Sequence, residues 1–202
     1  MKRLIYILTI FVALIFAGGC EQESDVFEKQ QTSIVNYLKS ARKMIPEEEV
    51  GTVIAENPPF YNTFGRSAYR HITNYYAADR LSWSEVKKGS VVDIRFDAYI
   101  FSGSEPQRTS AYWSNIPATI AAVEQAGKNQ YADLIWSEEP LTIRVGDGDI
   151  IEGIDEALVG CRDQDSVQVY MTYTMAYGKG LVGTVPKFSS VAWYMKILSV
   201  SE

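Results

Sequence analysis

The chain has 202 residues, 47% of them hydrophobic, which suits one medium domain with a buried core and an N-terminal extension. Its formal charge of −6 excludes the basic surface that phosphate backbones require, so no nucleic-acid partner is expected. A single histidine, His71, excludes a histidine-rich metal site, and neither a metal nor any other cofactor is expected.

The chain opens with the positive run Met1-Lys2-Arg3, continues through an apolar stretch over 4–16 and closes on the small residues Ala17, Gly18 and Gly19. That is the layout of a secretory signal peptide over 1–19. The apolar stretch is shorter than the roughly 20 residues a helix needs to cross a bilayer, so a permanent span is the weaker reading. Ala17-Gly18-Gly19-Cys20 resembles a bacterial lipobox, with alanine where leucine is commoner. The resemblance implies lipidation of Cys20 and an exported chain, anchored by lipid to a membrane of the bacterial cell envelope at its periplasmic face or cell surface. Each buried CH2 of an acyl chain contributes about 0.8 kcal/mol to such an anchor. Loss of Lys2 and Arg3 with the signal takes the charge to −8 and, with Cys20 modified, leaves Cys161 without a disulfide partner. Its setting, Leu158-Val159-Gly160-Cys161, reads as core.

Residues 20–25 form an acidic polar tether with nothing to bury. The segment 26–82 is expected as an N-terminal extension, a helix followed by an extended stretch. Over 27–45 the apolar residues Ile34, Tyr37, Leu38, Ala41 and Ile45 recur at helical spacing, and Pro46 stops the pattern. This face either packs on its own domain or binds a partner. A strand is expected over 68–76.

Residues 83–202 carry the clearest pattern. Val92, Ile94, Phe96, Ala98 and Ile100 alternate with Asp93, Arg95, Asp97 and Tyr99, the period of a half-buried strand. The same alternation returns at 141–145, 167–173 and 191–198. Helices are expected at 154–159, closed by Gly160, and at 118–126, between Pro117 and Gly127. Serial alternating strands with few helices predict an α+β fold, a mostly antiparallel sheet packed on a short helix.

Familiar catalytic and metal motifs fail on their spacing. Gly146-Asp147-Gly148-Asp149 has Glu152 where a calcium loop starting at Asp147 needs glycine. It has Ile151 where a dinucleotide fingerprint needs glycine or alanine. A plain turn accounts for it. No Gly-x-Ser-x-Gly motif accompanies His71, which argues against a serine hydrolase.

The run Pro140-Leu141-Thr142-Ile143-Arg144-Val145-Gly146, the Ile150-Ile151-Glu152-Gly153-Ile154 turn, Ala176-Tyr177-Gly178, and Val185-Pro186 followed by Ala192-Trp193 come in a meaningful order. From 86 to 198 the chain resembles the FKBP-type peptidyl-prolyl cis-trans isomerases, whose fold is an antiparallel sheet curled around one short helix. The resemblance implies an apolar bowl for a substrate proline, walled here by Phe96, Leu141, Ile143, Ile150, Ile151, Val185 and Trp193, with Ile154 as its floor. It implies that the Tyr177 hydroxyl and the Ile151 backbone N–H contact the substrate carbonyl, and that the partners are proline-containing polypeptides.

The sequence departs from the family where a Phe-Asp pair is usual. Tyr112 stands nearest the phenylalanine, and no aspartate accompanies it. Leu141 and Ile154 replace aromatics, which predicts a wider, less aromatic bowl. An insertion over 104–139 carries the 118–126 helix, which could lie over the bowl. Two functions stay open: an isomerase or folding factor for exported proteins, and a non-catalytic peptide- or protein-binding lipoprotein on the same scaffold.

Overall fold

A computed structural model describes residues 23–128 and 136–202. The signal segment, the lipobox with Cys20 and residues 21–22 lie outside the described residues, as does 129–135 of the insertion. Helix α1 (23–36) begins within the acidic stretch, and Glu23 pairs with Lys179 at 2.6 Å. The described part of the expected tether is therefore helix.

α1 passes into a π turn at Tyr37–Ala41, closed by the Arg42 N–H donating to the Tyr37 carbonyl at 3.0 Å. Lys43 then takes a φ of 53°, left-handed backbone that a right-handed helix does not continue through. This break precedes Pro46. It moves Ile45 off the helix and into strand β1 (Ile45–Pro46), while Ala41 is exposed.

The other strands are β2 (Phe60–Phe64), β3 (Ala68–Ile72), β4 (Val91–Ile100), β5 (Ala111–Ser114), β6 (Leu141–Arg144), β7 (Ser166–Met171) and β8 (Val191–Ser201). They form one eight-stranded sheet in the order β1-β2-β3-β7-β8-β4-β5, with β6 on β4. Only β1 and β2 run parallel. The strand expected over 68–76 ends at Ile72, and the chain turns through 73–76. β2 and β3 come from the segment preceding residue 83, so the expected extension contributes strands to the same sheet as the rest.

Alternation along the strands sends side chains to two differently covered faces. Val92, Ile94, Phe96 and Ala98 of β4, Val167, Val169 and Met171 of β7, and Trp193, Met195 and Ile197 of β8 pack with Ile154, Ala157 and Leu158 of helix α3 (Glu152–Leu158). On the other face Tyr69, Phe101, Tyr170 and Ala192 receive Ile34, Tyr37 and Leu38 of the N-terminal helix and its π turn. A fully buried side chain of this size contributes about 1.5–3 kcal/mol. The apolar stripe of α1 is thus used by its own sheet.

Helix α2 (Pro117–Gln125) starts with proline in its first turn and is followed by Gly127 at φ 67°, as its sequence signals require. Its buried Val123 packs with Tyr99 and Ala111 beside Tyr194. That places α2 with α1, on the face opposite α3. The insertion's helix therefore does not lie over the face that carries the expected bowl residues.

The Gly146–Asp149 segment is a turn, with Gly146 at φ 94° and Gly148 at φ 77°. The Asp155 carboxylate accepts the Gly146 N–H at 2.8 Å and fastens the turn to α3. Within α3, a Cβ on Gly153 would lie 2.7 Å from Met171 Sδ and 3.0 Å from the Met175 carbonyl oxygen. Overpacking against backbone costs about 1–3 kcal/mol. Gly153→Ala is expected to lower stability by that amount, read from the denaturant midpoint at unchanged slope.

Gly160, at φ 80°, ends the turn after α3, and Cys161 behind it is buried. Burial pushes the Cys161 thiol up to about 11, so it remains protonated and serves as core. His71 is held below its ordinary value by burial, with Nδ1 against the Phe60 carbonyl at 2.7 Å. Among the described residues no helix is long and apolar enough to cross a membrane, and no cluster of three or more histidine, cysteine or carboxylate groups is assembled for a metal.

Candidate functional site

The three central strands set the site's base. Trp193 on β8 lies between Ala98 of β4 and Val169 of β7 in the sheet register, and it is completely buried. The Phe96 ring stacks on it with centroids 4.6 Å apart and planes 12° from parallel. Ile154 reaches this cluster from α3, Ile143 from β6, and Val185 from the loop before β8, all of them buried. Leu141, Ile150, Ile151 and Tyr177 are half-buried and pack against its edge. Residues spread over 96–193 of the sequence are thus brought together. Phe96, Ile143, Ile154, Val185 and Trp193 form the interior, and the remainder form a partly accessible rim.

Ile151 immediately precedes α3, and its carbonyl accepts the Ile154 N–H at 3.0 Å and the Asp155 N–H at 3.2 Å. The helix start therefore fixes the Ile150-Ile151 turn. Tyr177 follows a 3₁₀ turn at Tyr173–Met175, and the Gly178 N–H donates to the Tyr173 carbonyl at 2.8 Å. The segment beyond it is pinned by paired hydrogen bonds between Val182 and Val185 and by the Phe188 N–H on the Gly178 carbonyl at 3.2 Å.

β5 supplies two rings that change the expected character of the bowl. Trp113, to which the sequence reading gave no role, packs edge-on against Phe96 at 4.7 Å and against Trp193 at 5.5 Å. Tyr112 is buried, and its oxygen accepts the Trp193 indole N–H at 2.9 Å. The same oxygen lies 3.1 Å from the Tyr177 hydroxyl oxygen. The aliphatic replacements at Leu141 and Ile154 are therefore accompanied by aromatic side chains arriving from another strand, and the cluster is not poor in aromatics.

Asn115, also without a role in the sequence reading, anchors β5 to β4. Its Oδ1 accepts the Phe96 N–H at 2.7 Å, and its Nδ2 donates to the carbonyls of Ile94 at 2.9 Å and Glu139 at 3.0 Å. One buried amide thereby holds the strand under Phe96 and the return of the insertion into β6. Nothing in residue spacing marks an asparagine for this task.

The electrostatics are those of neutral donors in a dry surrounding. Burial raises the Tyr177 phenol, opposed by its hydrogen bond with Tyr112, and burial holds the Tyr112 phenol well above its ordinary value. Both are protonated at neutral pH. The cluster brings together an apolar surface, a half-buried hydroxyl and a backbone turn, with no acid–base pair and no activated nucleophile among them. Such a surface can hold and reorient a polypeptide segment without breaking a bond.

A many-stranded, mostly antiparallel sheet on one short helix, with an N-terminal helix added, is an FKBP-like α+β fold. Residues 82–198 match the family model described as FKBP-type peptidyl-prolyl cis-trans isomerase, and the chain belongs to that family. Among solved structures it is similar to the crystal structure of the three FKBP domains of wheat FKBP73, with a TM-score of 0.50 and 15% identity. The likeness covers 71% of this chain and 51% of that one, so the chain spans about half the length of that structure. At this identity the likeness bears on fold alone. No curated protein matches the sequence.

Proposed function

We propose that the chain is a peptidyl-prolyl cis-trans isomerase or folding factor that acts on exported, proline-containing polypeptides at the bacterial cell envelope. The observation that carries this reading is the family match over 82–198, which includes Tyr177, the Ile150-Ile151 turn and Trp193. Rotation about an Xaa-Pro bond crosses a barrier of about 18–20 kcal/mol set by amide resonance. The twisted amide is less delocalised and less polar than the planar one, so an apolar cradle with a donor for the turning carbonyl favours it over the ground state. Leu141, Ile150 and Ile151 supply the accessible apolar edge, Tyr177 the hydroxyl, and Ile151 the backbone N–H.

The test is exchange NMR on a set of Xaa-Pro peptides with the folded chain. Acceleration of cis-trans exchange, reduced by Tyr177→Phe, is the expected result. Absence of acceleration on every peptide sinks the catalytic reading. A non-catalytic binding module is the second reading, favoured by the full burial of Trp193 and by the Tyr112 contact on Tyr177. Peptide binding without acceleration would select it.

The envelope location rests on the Ala17-Gly18-Gly19-Cys20 motif and the apolar run before it. Radiolabelled palmitate is expected to enter the wild-type chain in growing cells and to be absent from Cys20→Ser, which would be released from the membrane fraction. Equal labelling of both chains would refute lipidation at Cys20.

A further inference from the structure

The hydroxyl of Tyr177 is useful to a substrate carbonyl only if its proton points outward, and its neighbours decide that. An indole N–H is a donor and never an acceptor, so the 2.9 Å contact from Trp193 Nε1 fills a lone pair of the Tyr112 oxygen. Tyr112 has one proton of its own to place. Its hydroxyl is in a buried position, and among the described residues the remaining polar neighbour is the Tyr177 oxygen at 3.1 Å. If Tyr177 donated inward, the Tyr112 proton would be left without an acceptor inside the core. A buried donor left without an acceptor forfeits its hydration with nothing in return. If Tyr112 donates to Tyr177, the two buried donors of this network, the Trp193 indole N–H and the Tyr112 hydroxyl, are both satisfied, and the proton of the half-buried Tyr177 is the one left over.

We propose that Tyr112 is a positioning residue for Tyr177: it accepts the Trp193 N–H, donates its own proton to the Tyr177 oxygen, and so commits the Tyr177 O–H to a carbonyl outside. The relay runs from Trp193 through Tyr112 to Tyr177, and each bond polarises the next in the low-dielectric interior. A phenylalanine at 112 would fill much the same space but would give Tyr177 no donor. The same geometry identifies what the site recognises, a ligand acceptor oxygen rather than a donor. The functional part of this inference rests on the isomerase reading above; the proton order does not.

The experiment separates the two. Fluorotyrosine is placed at position 177 of the full chain, and its ionisation is followed by 19F NMR with Tyr112 intact and in Tyr112→Phe. A donor from Tyr112 stabilises the Tyr177 phenolate, so its removal is expected to move the Tyr177 titration to higher pH. An inward-donating Tyr177 would show the opposite shift, because Tyr112→Phe would then remove an acceptor that stabilises the neutral phenol. A downward shift, or none, overturns the relay whatever the enzyme does. If Tyr112→Phe does not fold, Trp193→Phe is read instead. Loss of the indole donor weakens the Tyr112 bond, and a smaller upward shift is expected, with a downward shift or none overturning the relay.

On the isomerase side, Tyr112→Phe is expected to reduce kcat/KM by about tenfold, matching Tyr177→Phe, and the double variant should lose little more. Additive losses overturn the claim that Tyr112 acts through Tyr177. An inactive wild type with the upward titration shift overturns the isomerase reading and leaves the proton order standing.

Discussion

Asp165→Ala is expected to destabilise the fold by about 3–5 kcal/mol, the usual cost of leaving one partner of a buried ion pair alone. Asp165 is completely buried and receives Arg80 in a fork, Nε to Oδ1 at 2.8 Å and Nη2 to Oδ2 at 2.7 Å. Its Oδ2 also accepts the Arg162 N–H at 2.7 Å, which closes the turn leading into β7. Without the carboxylate, the Arg80 guanidinium, 5% exposed as a residue and set 4.6 Å over the Tyr75 ring, keeps a charge with no anion beside it. A loss of this size is a large part of the roughly 5–15 kcal/mol that holds a domain folded. Urea denaturation of the variant checks it. The double replacement Arg80→Met with Asp165→Leu is expected to recover most of the loss, since it removes both charges and keeps apolar volume. A single variant that loses less than about 1 kcal/mol would show that the pair is solvated in the native state. Arg80 precedes the family-matched stretch 82–198, so a chain trimmed to that stretch would lose this partner and strands β2 and β3 together.

How far the fold was legible in the sequence depended on what each strand faces. In β4, β7 and β8 the side chains toward α3 are buried, and alternation survives because the second face carries Asp93, Arg95, Gln168 and the exposed Lys196, with aromatics bearing polar tips where helices cover it. The Tyr170 and Tyr194 hydroxyls meet at 3.0 Å, and Tyr194 continues to Glu105 at 3.2 Å. The side toward α3 is aliphatic or fully buried aromatic, so the period of two remains visible. β5 gives no such signal, because Ala111, Tyr112 and Ser114 are all buried within four residues and its register on β4 shifts at Ala98/Tyr99. β2 begins with Phe60 and Tyr61 buried in succession, and β1 is two residues long with a proline in it. The helical spacing of α1 ran on to Ile45 because an apolar residue there serves a strand instead, after the left-handed turn at Lys43.

The site was legible only where a motif carried it. Tyr177, Trp193 and the Ile150-Ile151 turn sit in short runs that resemble those of a family, and in the fold they pack against one apolar cluster. The bond between Trp193 and Tyr112 joins residues 81 positions apart, and the contact between Tyr112 and Tyr177 joins residues 65 apart. Neither separation has a period, and Tyr112 differs from a packing aromatic only by a hydroxyl whose partner the fold supplies. The location of α2 was illegible for a related reason. Its composition requires a covered face, but the choice of face is made by the insertion's attachment through Asn115 and by Tyr99 and Tyr194 offering a place for Val123.

Trp193→Ala is expected to cost about 3–5 kcal/mol, at least as much as any other aromatic truncation in the core. The indole lies on the central strand β8 between β4 and β7, so the ladders on both sides keep the walls from closing over the void. Phe96 would lose its stacked partner, Trp113 an edge contact, and Tyr112 the donor to its oxygen. The loss therefore combines removed contacts with a cavity that does not collapse, which places it at the upper end for a large-to-small change. Trp193→Phe keeps a ring against Phe96 and should retain most of the stability while removing the indole N–H. Calorimetric unfolding of the two variants checks the order. Equal losses would assign the stability chiefly to the N–H bond, and a negligible loss in Trp193→Ala would mean that the surrounding strands close over the void. If the expected order holds, packing and hydrogen bonding at one residue become separable: alanine reports how the cluster is held together, and phenylalanine isolates what Trp193 does for Tyr177 through Tyr112.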